Sequence, residues 1–149
     1  MKITPAAINK YTLFKLPAAY FTGVRVRSIT DDFCKVSVRL SWVNQNPFRS
    51  MFWAVQGMAA ELSTGVLLMR KLSQQNIKAS TLVIETKATF SKKAVGTVVF
   101  DCLQGPEISE TISSLSQKPQ QIWLHAKGID QAGEEVCSFS FLWSLKCKN

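Results

Sequence analysis

The sequence predicts an α+β fold in which one antiparallel sheet curls around a long apolar helix. Residues 51–69 run almost without interruption through apolar and small side chains, over a length too great for a strand. Two segments before this helix and four after it show the two-residue alternation of half-buried strands. Such an order is typical of a helix that packs against the sheet formed by the neighbouring strands.

The first 22 residues are expected to form a helical segment that leads into the sheet. Ile8 and Tyr11 recur at helical spacing, and Pro5 suits the first turn of a helix. Thr4 is the expected N-cap, and the helix is predicted to end near Leu16.

Two strands are predicted next, at residues 24–27 and 34–42. In the first, Val24 and Val26 alternate with arginines, and the segment 30–32 (Thr-Asp-Asp) supplies a turn. In the second, every second residue from Cys34 to Trp42 is apolar, so these side chains are expected to face the core together.

The long helix has start and stop signals on both sides of residues 51–69. Asn46 or Ser50 is suited to act as its N-cap, with Pro47 in the first turn. At the other end, Asn76 is suited to the left-handed conformation that stops many helices.

Four strands are predicted after the helix, at residues 81–90, 95–103, 120–129 and 135–146. In the first of them, residues 82, 84, 86, 88 and 90 are expected to share one face. Residues 91–94 are predicted to be a tight connection into the strand at 95–103, and a hairpin turn at 130–133 joins the last two strands. Residues 104–118 are predicted to be a loop with a short helix. These elements make one domain over residues 1–149. Its exposed edge strands favour a homodimer, or a tetramer built from two such dimers.

The net charge of +8 and the pI near 9.5 favour an acidic partner. The basic residues are scattered, however, with no block of five like charges. A solvated basic surface explains them, and so do contacts with the phosphates of a small ligand such as coenzyme A. A nucleic-acid-binding module is disfavoured, because the strands carry no aromatic-plus-basic motif of the RNA-recognition type.

Cysteine and histidine usage excludes several kinds of site. The four cysteines are far apart and His125 is the only histidine, so no close-spaced zinc site is expected and no metal is implied. A Ser-His-Asp or Cys-His site would need His125 as its base. His125 lies on the same face of a predicted strand as Lys127, as a half-exposed residue would, so such a site is not expected. With no apolar signal-peptide segment near the start of the chain, free thiols and a cytoplasmic location are expected.

One carboxylate, Glu61, lies in the middle of the apolar helix and is the only acidic residue between Asp32 and Glu85. A membrane-spanning helix is disfavoured, because an acidic group at the centre of a span costs roughly 2.5–3.5 kcal/mol. Within a folded domain, Glu61 is either a structural acid satisfied by backbone donors or by a base such as Arg70 or Lys92, or a functional acid whose pKa is raised by burial.

The order and lengths of these elements resemble the hot-dog thioesterase superfamily, most closely its phenylacetyl-CoA thioesterase-like branch. The resemblance is carried by Asn46, by the helix with Glu61 at its centre and by the segment Phe90–Gly96, and it covers roughly residues 23–146. It implies a hot-dog fold, an acyl-CoA or similar thioester as substrate, and no cofactor other than the coenzyme A that the substrate carries.

In this superfamily an acidic residue of the central helix acts on the thioester, as a nucleophile or as the base for water, and Glu61 occupies that position. A His-Gly-Gly segment often precedes the acid and polarises the thioester carbonyl. Phe52, Trp53 and Ala54 occupy those places here. The backbone amides at these positions remain candidates for an oxyanion site.

Further candidate binding residues surround this acid. Gly57, Met58 and Gly65 share its helical face, where the glycines indicate either close packing or a ligand tunnel. Asn46 either caps the backbone or orients a water or a carbonyl. The candidates for contact with the phosphates of coenzyme A are Arg49, Lys92 and Lys93. The predicted function is an acyl-CoA thioesterase, and the alternative is a non-catalytic acyl-CoA or fatty-acyl binding protein.

Overall fold

The computed structural model describes residues 2–149 as one antiparallel six-stranded sheet with a long helix packed on its inner face. This arrangement confirms the predicted α+β fold and the order of its elements. The helices are α1 (Pro5–Lys15), α2 (Pro17–Phe21), α3 (Trp53–Gln74) and α4 (Gly105–Ser113). The strands are β1 (Arg25–Ile29), β2 (Cys34–Arg39), β3 (Ala79–Phe90), β4 (Thr97–Cys102), β5 (Gln120–Ile129) and β6 (Glu135–Cys147).

The strands lie in the order β1-β2-β4-β5-β6-β3. The prediction of a tight connection at residues 91–94 was therefore wrong, because β5 and β6 lie between β3 and β4. Neighbouring strands are about 4.8 Å apart, so the connection crosses about 14 Å of sheet. Strand β3 pairs with β6 over almost its whole length, and its other side is a free edge of the sheet.

A bulge in β3 corrects the predicted alternation of that strand. The pairing with β6 shifts between Val83 and Glu85, so Leu82 lies opposite Ser144 while Thr86 lies opposite Phe141. Directly opposed residues share a face, and Phe141 belongs to the core. Leu82 therefore points to the outer face and does not share a face with the even-numbered residues 86–90.

The apolar face predicted for the last strand is confirmed. Phe139, Phe141, Trp143 and Leu145 are all buried under α3. Helix α3 itself is buried on several sides, as its nearly continuous apolar sequence predicts. Burial of these large side chains against α3 is the main force that holds the helix to the sheet.

Strand β2 ends earlier than predicted, at Arg39, and the Asn44 side chain explains why. Its amide donates to the carbonyl oxygens of Arg39 at 2.8 Å and Thr22 at 2.9 Å, and its oxygen accepts from the amide of Ser41 at 2.8 Å. These bonds turn the chain back on itself. Trp42, expected in the core, is consequently 85% exposed.

Helix α3 starts later than predicted, because the Asn46 side chain closes a turn instead of capping a helix. Its oxygen accepts from the backbone amides of Phe48 and Ser50, at 2.9 and 3.2 Å. The helix begins at Trp53, after Phe52 as an N-cap without a side-chain bond. At the far end Asn76 has φ of 54°, the left-handed stop that the sequence predicts.

Helix α1 has the predicted N-cap, since Thr4 accepts from the amide of Ala7 at 3.2 Å. Its position against β1 is fixed by Asn9, whose side chain donates to the Val26 carbonyl at 3.0 Å and accepts from the Val26 amide at 2.8 Å. Helix α1 ends before Leu16, and the chain then forms α2, a short helix that the sequence analysis did not predict separately.

The four cysteines are free thiols, three of them buried. Burial raises the pKa of the Cys34 and Cys137 thiols to about 12 and that of Cys102 to about 11. These thiols therefore stay protonated at neutral pH. Within residues 2–149, no helix combines the length and the apolar character needed to cross a membrane.

Candidate active site

Glu61 lies near the middle of α3 with a half-buried side chain. Desolvation by burial raises the pKa of this carboxyl above its usual value. The two bases considered as partners are engaged elsewhere: Arg70 binds Asp31 at 2.8 Å, and Lys92 binds Asp130 at 2.8 Å as well as Glu134. No side chain among residues 2–149 forms a hydrogen bond or an ion pair with the Glu61 carboxylate. The reading of Glu61 as an ion-paired structural acid is therefore not supported.

Two cavities meet at Glu61. The first, of about 120 Å³, lies between α1, α3 and the β6 residue Trp143. The second, of about 240 Å³, lies between the α1–α2 junction and the middle of α3, where Met58 lines it. Three residues border both cavities, namely Leu16, Glu61 and Leu62. The carboxylate thus stands at the junction of two mainly apolar spaces.

Trp143 forms one wall of the first cavity, and its ring lies against Gly65. A Cβ atom at Gly65 would be 3.4 Å from two atoms of the Trp143 ring and 3.8 Å from Glu61 Oε1. The indole N–H of Trp143 donates to Thr64 Oγ1 at 3.1 Å, and Thr64 Oγ1 donates to the Glu61 carbonyl at 2.8 Å. These bonds fix the indole beside the acid. Gly65 keeps open the space between them.

The other glycine on this helical face has a different role. A Cβ atom at Gly57 would be 3.3 Å from the Phe139 ring, and Gly57 borders neither cavity at Glu61. It permits close packing of α3 on β6. Of the two alternatives for these glycines, the structure therefore supports packing at Gly57 and an open space at Gly65.

A third cavity, of about 500 Å³ and open to solvent, lies at the N-terminus of α3. Asn46, Phe52, Trp53 and Gln56 line one part of it, and residues 90–94 line another. The amides of Trp53 and Ala54 have no hydrogen-bond acceptor among the described residues, as expected for the first turn of a helix. Ala54 itself is half-buried.

Gln56 contributes a buried acceptor beside this third cavity. Its Nε2 donates to the Met51 carbonyl at 3.0 Å, but its Oε1 has no partner within residues 2–149. A buried oxygen without a partner carries a free-energy penalty of about 1–3 kcal/mol. A ligand donor that reached it would remove that penalty.

The candidate phosphate contacts lie at the same end of the molecule and differ in availability. Lys92 already binds two carboxylates and is not a free cation. Lys93 and Phe48 are joined by a long contact of 3.4 Å from Nζ to the carbonyl oxygen. Arg49 has φ of 62° in the turn closed by Asn46, and no salt bridge joins it to a carboxylate of the described residues.

The predicted site residues therefore fall into two groups in one chain. Glu61, Met58 and Gly65 lie around the middle of α3, whereas Asn46, Phe52, Trp53 and Ala54 lie at its N-terminus. Glu61 follows Trp53 by eight positions along the helix, a rise of about 12 Å. One thioester carbonyl is too small to contact both the amides and the acid of the same helix.

The sequence analysis missed the contribution of α1 to the site. Ile8, Tyr11, Thr12 and Leu16 line the first cavity. Their helical spacing is visible in the sequence, but spacing alone does not tell which surface a helix covers. Trp143 was recognised as a core residue, and nothing in its strand pattern indicates that it borders a cavity.

Comparison with known proteins identifies the family and the fold. A family model described as "Domain of unknown function (DUF4442)" matches residues 6–145. No curated protein sequence matches the chain.

Solved structures resemble the chain over nearly its whole length. A Pseudomonas aeruginosa protein of unknown function, described as a "Probable Thioesterase", is 18% identical with a TM-score of 0.80, and the match covers 97% of each chain. A protein of unknown function from Chlorobaculum tepidum is also 18% identical with a TM-score of 0.80, over 99% of this chain and 98% of that one. A thioesterase from Haemophilus influenzae is 11% identical with a TM-score of 0.76, over 99% and 93%.

At these identities the structural matches establish the fold, and the family model covers most of the sequence. The predicted hot-dog fold is confirmed by the structural matches. The chain belongs to the DUF4442 family and has the hot-dog fold.

Proposed function

We propose that the protein hydrolyses the thioester of an acyl-CoA, with Glu61 as the reactive carboxylate. The observation that carries this proposal is the state of Glu61, a desolvated acid without a cationic partner at the junction of two apolar cavities. A structural acid would be expected to have a partner that compensates for its burial. The thioesterases among the structural neighbours support the same reaction.

The chemistry follows from the position and pKa of the acid. As a general base, Glu61 takes a proton from water, whose oxygen bonds to the thioester carbon. The C–S bond then breaks, and Glu61 returns the proton to the departing sulfur, which gives a carboxylic acid and a free thiol. A raised pKa suits a base that must accept and return a proton near neutrality. In the alternative route Glu61 attacks the carbon itself, and water cleaves the resulting anhydride.

A second copy of the chain would complete the site. The free amides of Trp53 and Ala54 are suited to stabilise the oxyanion, but they lie about 10–12 Å along α3 from Glu61 of the same chain. Pairing of two copies along the free edge of β3 would set two α3 helices side by side. If they run antiparallel, the N-terminus of each helix approaches the acid of the other. Ile84, Leu82 and Phe90 are exposed along β3, as an interface between copies requires.

The nucleotide portion of coenzyme A would bind at the open cavity near the N-terminus of α3. Lys93 and Arg49 are the cations available for its phosphates. Lys92 instead joins its own loop to the β5–β6 turn through Asp130 and Glu134. The buried Gln56 Oε1 is suited to accept a hydrogen bond from a pantetheine amide. Asn46 contributes by holding the turn that shapes this cavity.

A non-catalytic acyl-ligand binding protein is the second candidate, and one observation favours it. Trp53 is 58% exposed at the helix N-terminus, in the place where the superfamily often has a small glycine-rich segment. Its bulk narrows the approach of a thioester carbonyl to the free amides. Binding of acyl-CoA without turnover is the expected behaviour of such a protein.

Release of free thiol from a panel of acyl-CoAs, from acetyl to palmitoyl, tests the proposal. We expect turnover by the wild-type protein, a loss of at least about 100-fold in Glu61→Gln, and an unchanged rate in the control Glu110→Gln, which alters an exposed acid on α4. Binding without release of thiol by the wild type would favour the second candidate. Release by Glu61→Gln at the wild-type rate would exclude Glu61 as the reactive group.

A further inference from the structure

We propose that α1 is a wall of the acyl site, and that the cavity of about 120 Å³ between α1, α3 and Trp143 holds the tail of a short acyl chain. This inference rests on the proposed function, because it assigns the substrate's acyl group to a specific space. It concerns α1, which carries neither the reactive acid nor the backbone amides at the N-terminus of α3.

The lining of this cavity matches an alkyl chain. Most of its residues are apolar: Ile8, Leu16, Leu62, Val66, Leu68, Met69 and Trp143. Among the polar ones, Thr12 already donates its hydroxyl to the Asn9 carbonyl at 2.9 Å. A polar group placed here would find few partners, whereas an alkyl chain gains about 0.8 kcal/mol for each buried CH₂ group.

The volume limits the length of the chain. An engineered apolar cavity of about 150 Å³ binds benzene, which has six carbon atoms. A space of about 120 Å³ therefore holds a tail of about five carbon atoms. The expected acyl groups are of butanoyl to hexanoyl size. Phenylacetyl and palmitoyl groups exceed this space.

The arrangement of the two cavities gives the direction of the substrate. Leu16, Glu61 and Leu62 border both spaces, so a thioester carbonyl near Glu61 lies between them. The first cavity takes the acyl tail on one side of Leu16. The larger second cavity, bordered by Lys15 and Met58, takes the sulfur end of the pantetheine arm on the other side.

The wall is fixed well enough to set a length limit. Asn9 holds α1 to both backbone groups of Val26, and Arg70 Nη1 donates to the Ile3 carbonyl at 3.3 Å. Ile8, which lines the cavity, is almost completely buried. A wall anchored at two points does not yield readily to a longer chain, so kcat/KM is expected to fall once the chain exceeds the length that fills the cavity.

Two substitutions alter the cavity in opposite directions. Leu16→Ala removes roughly three carbon atoms from the wall and is expected to move the preferred chain length up by two to three carbons. Gly65→Ala adds one methyl group beside Trp143 and is expected to move it down by about one carbon. Phe14→Ala is the matched control, because Phe14 is an exposed residue of α1 that borders neither cavity.

The test measures binding and turnover on the same four proteins. Binding of S-alkyl coenzyme A thioethers, from ethyl to hexadecyl, is measured by calorimetry, since these probes carry the chain without a scissile carbonyl. The kcat/KM for the corresponding acyl-CoAs is measured in parallel. We expect a maximum near butyl to hexyl in the wild type and in Phe14→Ala, with opposite shifts in Leu16→Ala and Gly65→Ala.

The outcomes separate this inference from the thioesterase proposal. An identical length profile in all four proteins, or no binding of any thioether, would overturn the inference whether or not acyl-CoAs are hydrolysed. Shifted binding profiles without any hydrolysis would support the acyl site and reject the thioesterase proposal. Hydrolysis that prefers palmitoyl-CoA in the wild type would place the acyl chain elsewhere.

Discussion

Arg70 binds Asp31 and not Glu61, although Arg70 is the cation closest to Glu61 along the sequence. Its Nε and Nη2 atoms lie 3.0 and 2.8 Å from Asp31 Oδ1, and this contact joins the end of α3 to the turn before β2. A hydrogen bond from Gln74 and, second, the bond from Arg70 lower the pKa of Asp31. Glu61 is left in its apolar surroundings without compensation.

The first prediction concerns the pH dependence of stability. Because burial raises the pKa of Glu61 in the folded state, the protonated form favours folding. The stabilising contribution is complete below the unfolded pKa and is lost as the pH rises through the folded pKa. We expect the free energy of unfolding of Glu61→Gln, which carries no charge at this position, to increase relative to that of the wild type as the pH rises from the unfolded pKa of Glu61 through its folded pKa. Urea unfolding at a series of pH values from acidic to neutral measures the difference.

Glu110→Gln is the control for this experiment, since it removes an exposed acid from α4. Its difference from the wild type is expected to stay flat across the same pH range. A flat difference for Glu61→Gln as well would mean that the carboxyl is not desolvated in the folded protein.

The second prediction separates stability from activity at Gly65. Alanine is favoured over glycine within a helix by about 1 kcal/mol, and the added Cβ meets the Trp143 ring at an ordinary contact distance of 3.4 Å. We therefore expect Gly65→Ala to raise the free energy of unfolding by up to about 1 kcal/mol while it lowers thiol release from hexanoyl-CoA, the longest acyl group that the cavity is expected to hold. Chemical denaturation and the thiol assay check the two effects. A less stable variant would show that Trp143 cannot accept the methyl group.

The third prediction tests the attachment of α1. Asn9→Ala leaves the amide and carbonyl of Val26 without their side-chain partners, and we expect a loss of about 1–3 kcal/mol in the free energy of unfolding. Lys10→Ala, at an exposed neighbouring position on the same helix, is the control and should change stability little. Equal unfolding curves for the two variants would contradict the role of Asn9.

The fourth prediction concerns the second copy of the chain. Ile84 lies in the bulge of β3 and is 44% exposed at the free edge of the sheet. Ile84→Lys places a charge on that edge, and we expect the protein to become monomeric and to lose at least about 10-fold of its thiol release. Light scattering coupled to size-exclusion chromatography gives the mass. The control is Leu103→Lys, which charges an exposed position after β4. A wild-type monomer would exclude the shared site.

The sequence predicted the elements well where a single periodic pattern governs them. Strand β5 has its predicted bounds, and the apolar face of β6 packs against α3 as expected. The predicted boundaries of elements were wrong where a side chain forms hydrogen bonds with the backbone, as Asn44 does at the end of β2 and Asn46 does before α3. Such bonds compete with regular structure and leave no periodic signal.

The candidate acid was identifiable from the sequence, because a lone carboxylate in an apolar helix is rare. The partners of the nearby cations and the cavities beside Glu61 could not be identified from the sequence. Which cation pairs with which acid depends on tertiary contacts, as Lys92 with Asp130 and Arg70 with Asp31 demonstrate. The cavity under α1 depends on how that helix is held to β1, and only the folded chain reveals it.

The contact between Asn9 and Val26 also has a consequence for how copies of this chain associate. The Asn9 side chain occupies both backbone groups of Val26, the second residue of β1, so another strand cannot pair with β1 at this residue. Within residues 2–149, the other edge strand is β3, whose outer side pairs with no strand. If copies of the chain pair through β3, a sheet with one free edge and one covered edge would accept a single neighbour, and the amide that holds α1 to β1 would disfavour open-ended growth.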